Sequence, residues 1–138
     1  MTEIEIREYG DKGFEEAAAL YRDAGWVNYT QNLPMLRNAF QNSLKVYGAY
    51  EGERLVGLLR AVGDGFSILY IQDILVLTEY RRRGIGRSLL NRLLSEYPSV
   101  YQTVLLTDDR PDTAAFYQSM GFAPAGEWGC GAFVKFHC

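Results

Sequence analysis

The stretch that decides the fold runs Asp73-Ile74-Leu75-Val76-Leu77-Thr78-Glu79-Tyr80-Arg81-Arg82-Arg83-Gly84-Ile85-Gly86-Arg87-Ser88. Its first part continues Ile68 to Ile71, and the whole segment to Leu77 is apolar on both parities except at Gln72 and Asp73. A strand buried on both faces, at the centre of a sheet, reads this way. Beyond the arginines, Ile85, Leu89, Leu90, Leu93, Leu94 and Tyr97 recur at helical spacing until Pro98 stops them. A buried strand therefore enters a helix through a basic glycine turn. Glycines let successive N–H groups converge into an anion-binding nest, and a helix N-terminus adds roughly half a positive charge there. Arginine forks suit phosphate oxygens, so the parts together fit a pyrophosphate. Judged on charge and glycine alone, a solvated arginine run ahead of an ordinary helix is an equally good reading.

Other phosphate loops match less well. A Walker loop needs Gly-Lys-Ser/Thr, and Arg87-Ser88 follow Gly86 with the wrong upstream spacing. A dinucleotide fingerprint needs a third glycine where Leu89 stands.

Upstream, Ile4 and Ile6 alternate with charged residues as a short strand, and Lys12 to Ala24 carry Phe14, Ala17, Ala18, Leu20 and Tyr21 at helical spacing up to Gly25. Trp26 to Gln31 show no period and read as a loop, and Pro34 opens a second short helix through Leu36, Ala39 and Phe40. Lys45–Tyr50, Arg54–Val62 and Ile68–Leu77, joined by short turns, predict an antiparallel meander. Downstream, Val100 to Thr107 predict a strand paired parallel to the central one, because the crossover between them is helical. Thr113 to Met120 form a last helix ended by Gly121, and Phe133 to Phe136 a last strand. The expected architecture is α/β, a mixed sheet flanked by about four helices.

At 138 residues the chain has the length of one domain, expected to span 1–138, and buries enough surface for a single core. A net charge of −3 argues against general nucleic-acid binding. The N-terminus lacks the basic and apolar regions of a signal peptide, and no apolar run approaches the roughly 20 residues that cross a bilayer. Cys130 and Cys138 are too few for a disulfide framework, so a reduced, cytoplasmic setting is expected. No metal-ligand cluster is visible, and the lone His137 is not expected to be catalytic.

Arg81-Arg82-Arg83-Gly84-Ile85-Gly86 resembles the Gln/Arg-x-x-Gly-x-Gly/Ala turn of the GNAT N-acetyltransferase superfamily. Phe116-Tyr117-Gln118-Ser119-Met120-Gly121-Phe122 resembles that superfamily's helix ending in Phe-Tyr-x-x-x-Gly-Phe. Both stand in the expected order on a matching succession of elements, so the resemblance covers essentially the whole chain. It implies the GNAT fold, acetyl-CoA as co-substrate, no metal, and transfer of an acetyl group to a primary amine. By the resemblance, main-chain groups of Leu75 and Val76 would bind the pantetheine arm. The turn of Arg81, Arg82, Arg83, Gly84, Gly86, Arg87 and Ser88 would bind the pyrophosphate. Tyr117 would act as general acid toward the departing thiolate, against the alternative of a core tyrosine beside Phe116 and Phe122. The asparagine often found early in the last helix is absent; Arg110 is a candidate substitute. Many members are homodimers, and a homodimer is the corresponding expectation.

An alkylamine is largely protonated at neutral pH, so a base is needed. Asp73 is the candidate, directly or through a water. Its alternative is a carboxylate satisfied by backbone or by Arg60, because an unpaired carboxylate in an apolar strand is costly. Gln72, one residue away, is expected on the opposite face in a structural role. Tyr21, Trp26 and Tyr29 lie where relatives shape the acceptor site; their rings could face a cationic or apolar amine, or pack the first helix on the sheet. Small-molecule and peptide amines both remain open as partners, with no nucleic acid or membrane. A non-enzymatic acyl-CoA sensor or interaction module on the same fold is the competing function.

Overall fold

The computed structural model describes residues 3–10 and 13–137; Lys12, where the first helix is expected to begin, and Cys138 lie outside them. The chain forms two compact units, Met1–Leu106 and Thr107–Cys138.

In the first unit β1 (Ile4–Glu8), β2 (Lys45–Glu51), β3 (Arg54–Gly63), β4 (Ile68–Val76) and β5 (Gln102–Leu105) lie in chain order across one five-stranded sheet. Neighbours from β1 to β4 pair antiparallel, whereas β4 and β5 pair parallel. The parallel step uses the expected helical crossover, α4 (Ile85–Glu96). α1 (Phe14–Asp23), α2 (Val27–Thr30) and α3 (Leu33–Gln41) precede β2. Gly25 ends α1 with φ 77°, and Asn32 caps α3 by accepting the Met35 N–H at 3.3 Å. The helical turn α2 corrects the loop expected from Trp26 to Gln31. Its single turn is too short to display a period, yet it is closed by Gln31 N–H donating to Val27 C=O at 2.8 Å.

Phe14, Leu20, Tyr21, Leu36 and Phe40 pack with Leu58 and Leu75 into one buried cluster beneath α1 and α3. On the other face α4 buries Ile85, Leu89, Leu90 and Leu93. Burial of each such leucine is worth roughly 1.5–3 kcal/mol, so these two layers fix the sheet between them. Gly57 on β3 lets the start of α4 come close: a Cβ there would sit 3.0 Å from Ile85 Cγ2.

β4 is irregular at the position that matters most. Arg60 faces Asp73 across the β3–β4 ladder, but the next pair is Ala61 with Ile71, which leaves Gln72 as an extra residue. This β-bulge breaks the alternation of β4. Residues directly opposite in a ladder share a face, so Asp73 lies with Arg60 and Ile71 lies with Ala61 on the other side. The pairing of β4 with β5 also stops early, at Ile71 opposite Leu105, while β4 continues to Val76. Among the described residues, the β5 side of β4 from Gln72 onward is therefore without a strand partner. β5 itself is shorter than the expected Val100 to Thr107.

In the second unit α5 (Pro111–Ser119) is followed by Gly121 at φ 94° and a 3-10 turn, Ala125–Trp128. The strand expected at Phe133 to Phe136 is not formed. Phe133 and Phe136 are 99% and 79% exposed, and among the described residues this unit offers no second strand to complete a ladder.

Candidate active site

The segment leaving β4 is fixed before it reaches the glycines. Leu77 N–H donates to Val56 C=O at 2.9 Å, and Thr78 gives both its N–H and its hydroxyl to Asp23 Oδ2 at 2.9 and 3.0 Å. A 3-10 turn, Thr78–Tyr80, follows. Tyr80 is buried and donates to Glu51 Oε1 at 2.5 Å, while Arg54 on β3 pairs with Glu79 at 2.7 Å. The turn is thereby tied to α1 and to the β2–β3 hairpin.

Arg81 then runs extended, Arg82 adopts φ 66°, and Gly84 adopts φ 77° as the N-cap of α4. Arg82 is the one non-glycine among the described residues with positive φ. Left-handed residues interleaved with right-handed ones turn successive N–H groups to one side, and the first amides of α4 have no carbonyl one turn back to bond. Arg82 and Gly84 thus give the turn ahead of α4 two left-handed residues, the backbone form that a nest requires. Arg81, Arg82, Arg83 and Arg87 have exposed side chains around it, Arg83 lying 4.7 Å from the centre of the Tyr80 ring. Ser88 lies in the first turns of α4, its hydroxyl donating to Gly84 C=O at 3.0 Å. Leu75 has its side chain in the core, and Val76 C=O accepts a 3.5 Å bond from Arg81 Nε. Both residues belong to the part of β4 that β5 leaves uncovered.

Asp73 is 2% exposed and meets Arg60 Nε at 2.9 Å and the Tyr21 hydroxyl at 2.7 Å, both on Oδ2. Its other oxygen, Oδ1, is buried without a hydrogen-bond partner among the described residues. The pairing with Arg60 is the alternative foreseen for this carboxylate; the tyrosine is an addition that sequence reasoning missed, because Tyr21 lies 52 positions away. Burial would lower the Arg60 guanidinium, but the Asp73 charge and hydrogen bond outweigh it and raise its pKa. Burial, then the Asp73 carboxylate, pushes the Tyr21 phenol far above the ordinary tyrosine value.

Tyr21, Trp26 and Tyr29 form one aromatic group, but only the latter two reach the surface. Tyr21 is wholly buried, its ring 5.2 Å from Tyr29 and 6.0 Å from Trp26. Gln72 is exposed and donates from Nε2 to the Tyr29 hydroxyl at 3.0 Å. Gln72 therefore reaches the same aromatic layer that Asp73 reaches through Tyr21. The expectation that it points to the opposite face is corrected; the bulge defeats the period-two rule on which it rested.

In the second unit Tyr117 packs edge-on to Phe116 at 5.0 Å and to Phe122 at 5.8 Å. Burial, then the neighbouring Asp108 carboxylate, raises its phenol. Arg110, the candidate substitute for the missing asparagine, is exposed and pairs with Asp112 at 3.0 Å. Among the described residues no cluster of His, Cys, Asp or Glu could hold a metal ion, and no helix is long and apolar enough to cross a membrane.

A family model described as an acetyltransferase (GNAT) domain matches residues 5–137. The chain belongs to the GNAT acetyltransferase family. Among solved structures, a GNAT-family acetyltransferase from Streptococcus pneumoniae TIGR4 is similar at 36% identity and a TM-score of 0.86, with 99% of this chain and 98% of that chain covered. An aminoglycoside N-acetyltransferase, AAC(6')-Iy, in complex with CoA shares the fold at a TM-score of 0.74 and 16% identity, covering 100% of this chain and 95% of that one. Among curated proteins, an uncharacterized N-acetyltransferase, ycf52, of Pyropia yezoensis is 23% identical over 111 residues, 78% of this chain. The match spans 63% of that relative's length. The mixed sheet and flanking helices are thus those of the GNAT fold.

Proposed function

We propose that this GNAT protein transfers an acetyl group from acetyl-CoA to a primary amine by direct attack. The observation that carries the reading is the left-handed turn of Arg82 to Gly84, at the end of a β4 segment that among the described residues lacks a strand partner on its β5 side. The fit to the cofactor is chemical: main-chain N–H groups and exposed arginines suit the pyrophosphate, and the edge of β4 at Leu75 and Val76, which β5 does not cover, suits the amide groups of a pantetheine arm.

Acetyl-CoA supplies the activated acyl group. The amine nitrogen bonds to the acyl carbon, the carbon–sulfur bond breaks, and the amine gives up a proton. At neutral pH of order one part in a thousand of an alkylamine is neutral, so removal of that proton must be assisted. Asp73 is the proposed base, acting through a water at its unpartnered Oδ1, since Oδ2 is taken by Arg60 and Tyr21. Tyr117, in the Phe-Tyr-x-x-x-Gly-Phe motif, is the proposed acid toward the departing sulfur. An ordinary phenol is a weaker acid than a thiol, and its raised pKa keeps the proton in place. Hydrogen bonding to the thiolate is therefore the larger part of its role. The proposal includes a cytoplasmic setting, in keeping with the exposed free Cys130, and a homodimer, on family grounds.

Thiol release from acetyl-CoA in the presence of a panel of primary amines tests the reading. Tyr117→Phe is expected to lower the rate by about 10²-fold or more with cofactor affinity unchanged. An acyl-CoA sensor without catalysis would bind the cofactor and release no thiol with any amine.

A further inference from the structure

The bulge in β4 presents a side chain that the proposed chemistry does not use. Gln72 is exposed beside a buried carboxylate, on the stretch of β4 that has lost its parallel neighbour. Its amide nitrogen donates to the Tyr29 hydroxyl at 3.0 Å. An amide holds two acceptor lone pairs on its oxygen, so fixing Nε2 on Tyr29 leaves Oε1 to accept a bond from outside. Tyr29 is itself held: its ring packs on Tyr21 at 5.2 Å, and Tyr21 is locked to Asp73 by the 2.7 Å hydrogen bond. The same bulge thus places the proposed base and a fixed neutral acceptor at adjacent positions.

The surroundings select among amines. α2 carries no acidic or basic residue in its first or last turn, and the rings of Trp26 before it and Tyr29 within it are partly buried, packed on the core and reaching the surface in part. Ring faces attract one ammonium group and cover an apolar body; they do not neutralise several charges.

We infer that Gln72, aimed by Tyr29, is the residue that orients the acceptor, its Oε1 accepting a hydrogen bond from the nitrogen of a monoamine whose aromatic or aliphatic body lies against Trp26 and Tyr29. The inference rests on the acetyl-transfer reading above, with Tyr29 acting as a positioning residue for Gln72.

The test uses the full chain saturated with CoA, titrated calorimetrically with 2-phenylethylamine, and in parallel the acetyl-CoA rate with the same amine. Gln72→Leu is expected to weaken the amine by about tenfold or more, in Kd and in KM, with the acetyl-CoA-induced rise in Tm retained. Gln72→Glu, which keeps an acceptor oxygen, is expected to restore binding. Tyr29→Phe gives a smaller loss that adds little to Gln72→Leu in the double variant, because both remove one device. Spermidine is expected to bind no better than phenylethylamine. Equal affinity of the wild type and Gln72→Leu, or no binding by the wild type, overturns the inference. Failure of acetyl-CoA to raise the wild-type Tm is a separate result that removes the acetyl-transfer reading beneath it.

Discussion

Tyr21, wholly buried in α1, donates a 2.7 Å hydrogen bond to Asp73 Oδ2, the same oxygen that takes Arg60 Nε at 2.9 Å. One carboxylate atom thereby joins the first helix to two central strands. Arg60 Nη1 extends the chain to the Ser43 hydroxyl at 3.3 Å, and Ser43 donates to Ala39 C=O at 2.7 Å, bringing in the end of α3. The helices that border the proposed acceptor side and the strand that carries the proposed base are coupled through this buried network.

Removing one member of the buried pair should be more harmful than removing both. Arg60→Leu leaves the Asp73 carboxyl at 2% exposure without its cation, and is expected to lower stability by about 3–5 kcal/mol. The double variant Arg60→Leu/Asp73→Leu should recover a substantial part of that loss. Urea unfolding of the four proteins measures the coupling; strictly additive losses would show that the pair does not interact.

The raised Tyr21 phenol makes stability fall on the alkaline side. Below the ordinary tyrosine pKa near 10 the proton is present in folded and unfolded chains alike, and the stabilisation is complete. Above it the unfolded chain releases the proton while the folded one keeps it, so unfolding gains about 1.4 kcal/mol per pH unit for each such tyrosine. Tyr21→Phe should make the decline above pH ~10 shallower by about that amount. An unchanged slope between pH ~10 and ~11.5 would show that Tyr21 keeps an ordinary pKa when folded.

The nest separates backbone from side-chain effects. A Cβ at Gly84 meets nothing within 4 Å, so Gly84→Ala suffers only the left-handed strain of φ 77°, about 1–2 kcal/mol. Because that strain is relieved by reshaping the turn, acetyl-CoA binding should weaken as well. Arg82→Gly removes strain at φ 66° and should leave Tm unchanged or higher. Its cofactor affinity should stay within about threefold of wild type if main-chain N–H groups carry the site. A far larger loss in Arg82→Gly would assign the anion to the guanidinium instead.

What the sequence disclosed follows from how local each feature is. The turn into α4 was legible because its parts are neighbours in the chain: a buried strand, arginines, and a glycine where φ must be positive. The meander and the helical crossover were legible from period and turn length. The bulge at Gln72 was not, because an extra residue shows only against the partner strand, where Ala61 pairs with Ile71 instead of Gln72. The error it caused was specific: parity placed Gln72 and Asp73 on opposite faces. Arg60 could be named as a partner for Asp73 from charge alone. Tyr21 could not, since nothing local distinguishes a core tyrosine that hydrogen-bonds a distant carboxylate from one that lines a surface. At Phe133 to Phe136 aromatic and β-branched residues suggest a strand, but a strand also needs a ladder, and composition does not supply one.

The thermal midpoint of the purified protein with and without acetyl-CoA, beside an ATP control, tests the central claim most directly. A ligand at about 100 times its Kd stabilises by about 2.7 kcal/mol, which at this chain length is a rise of several degrees. The account predicts that rise with acetyl-CoA and none with ATP. No rise with acetyl-CoA, or an equal rise with ATP, would contradict it and leave the Arg82 to Gly84 nest a generic anion site.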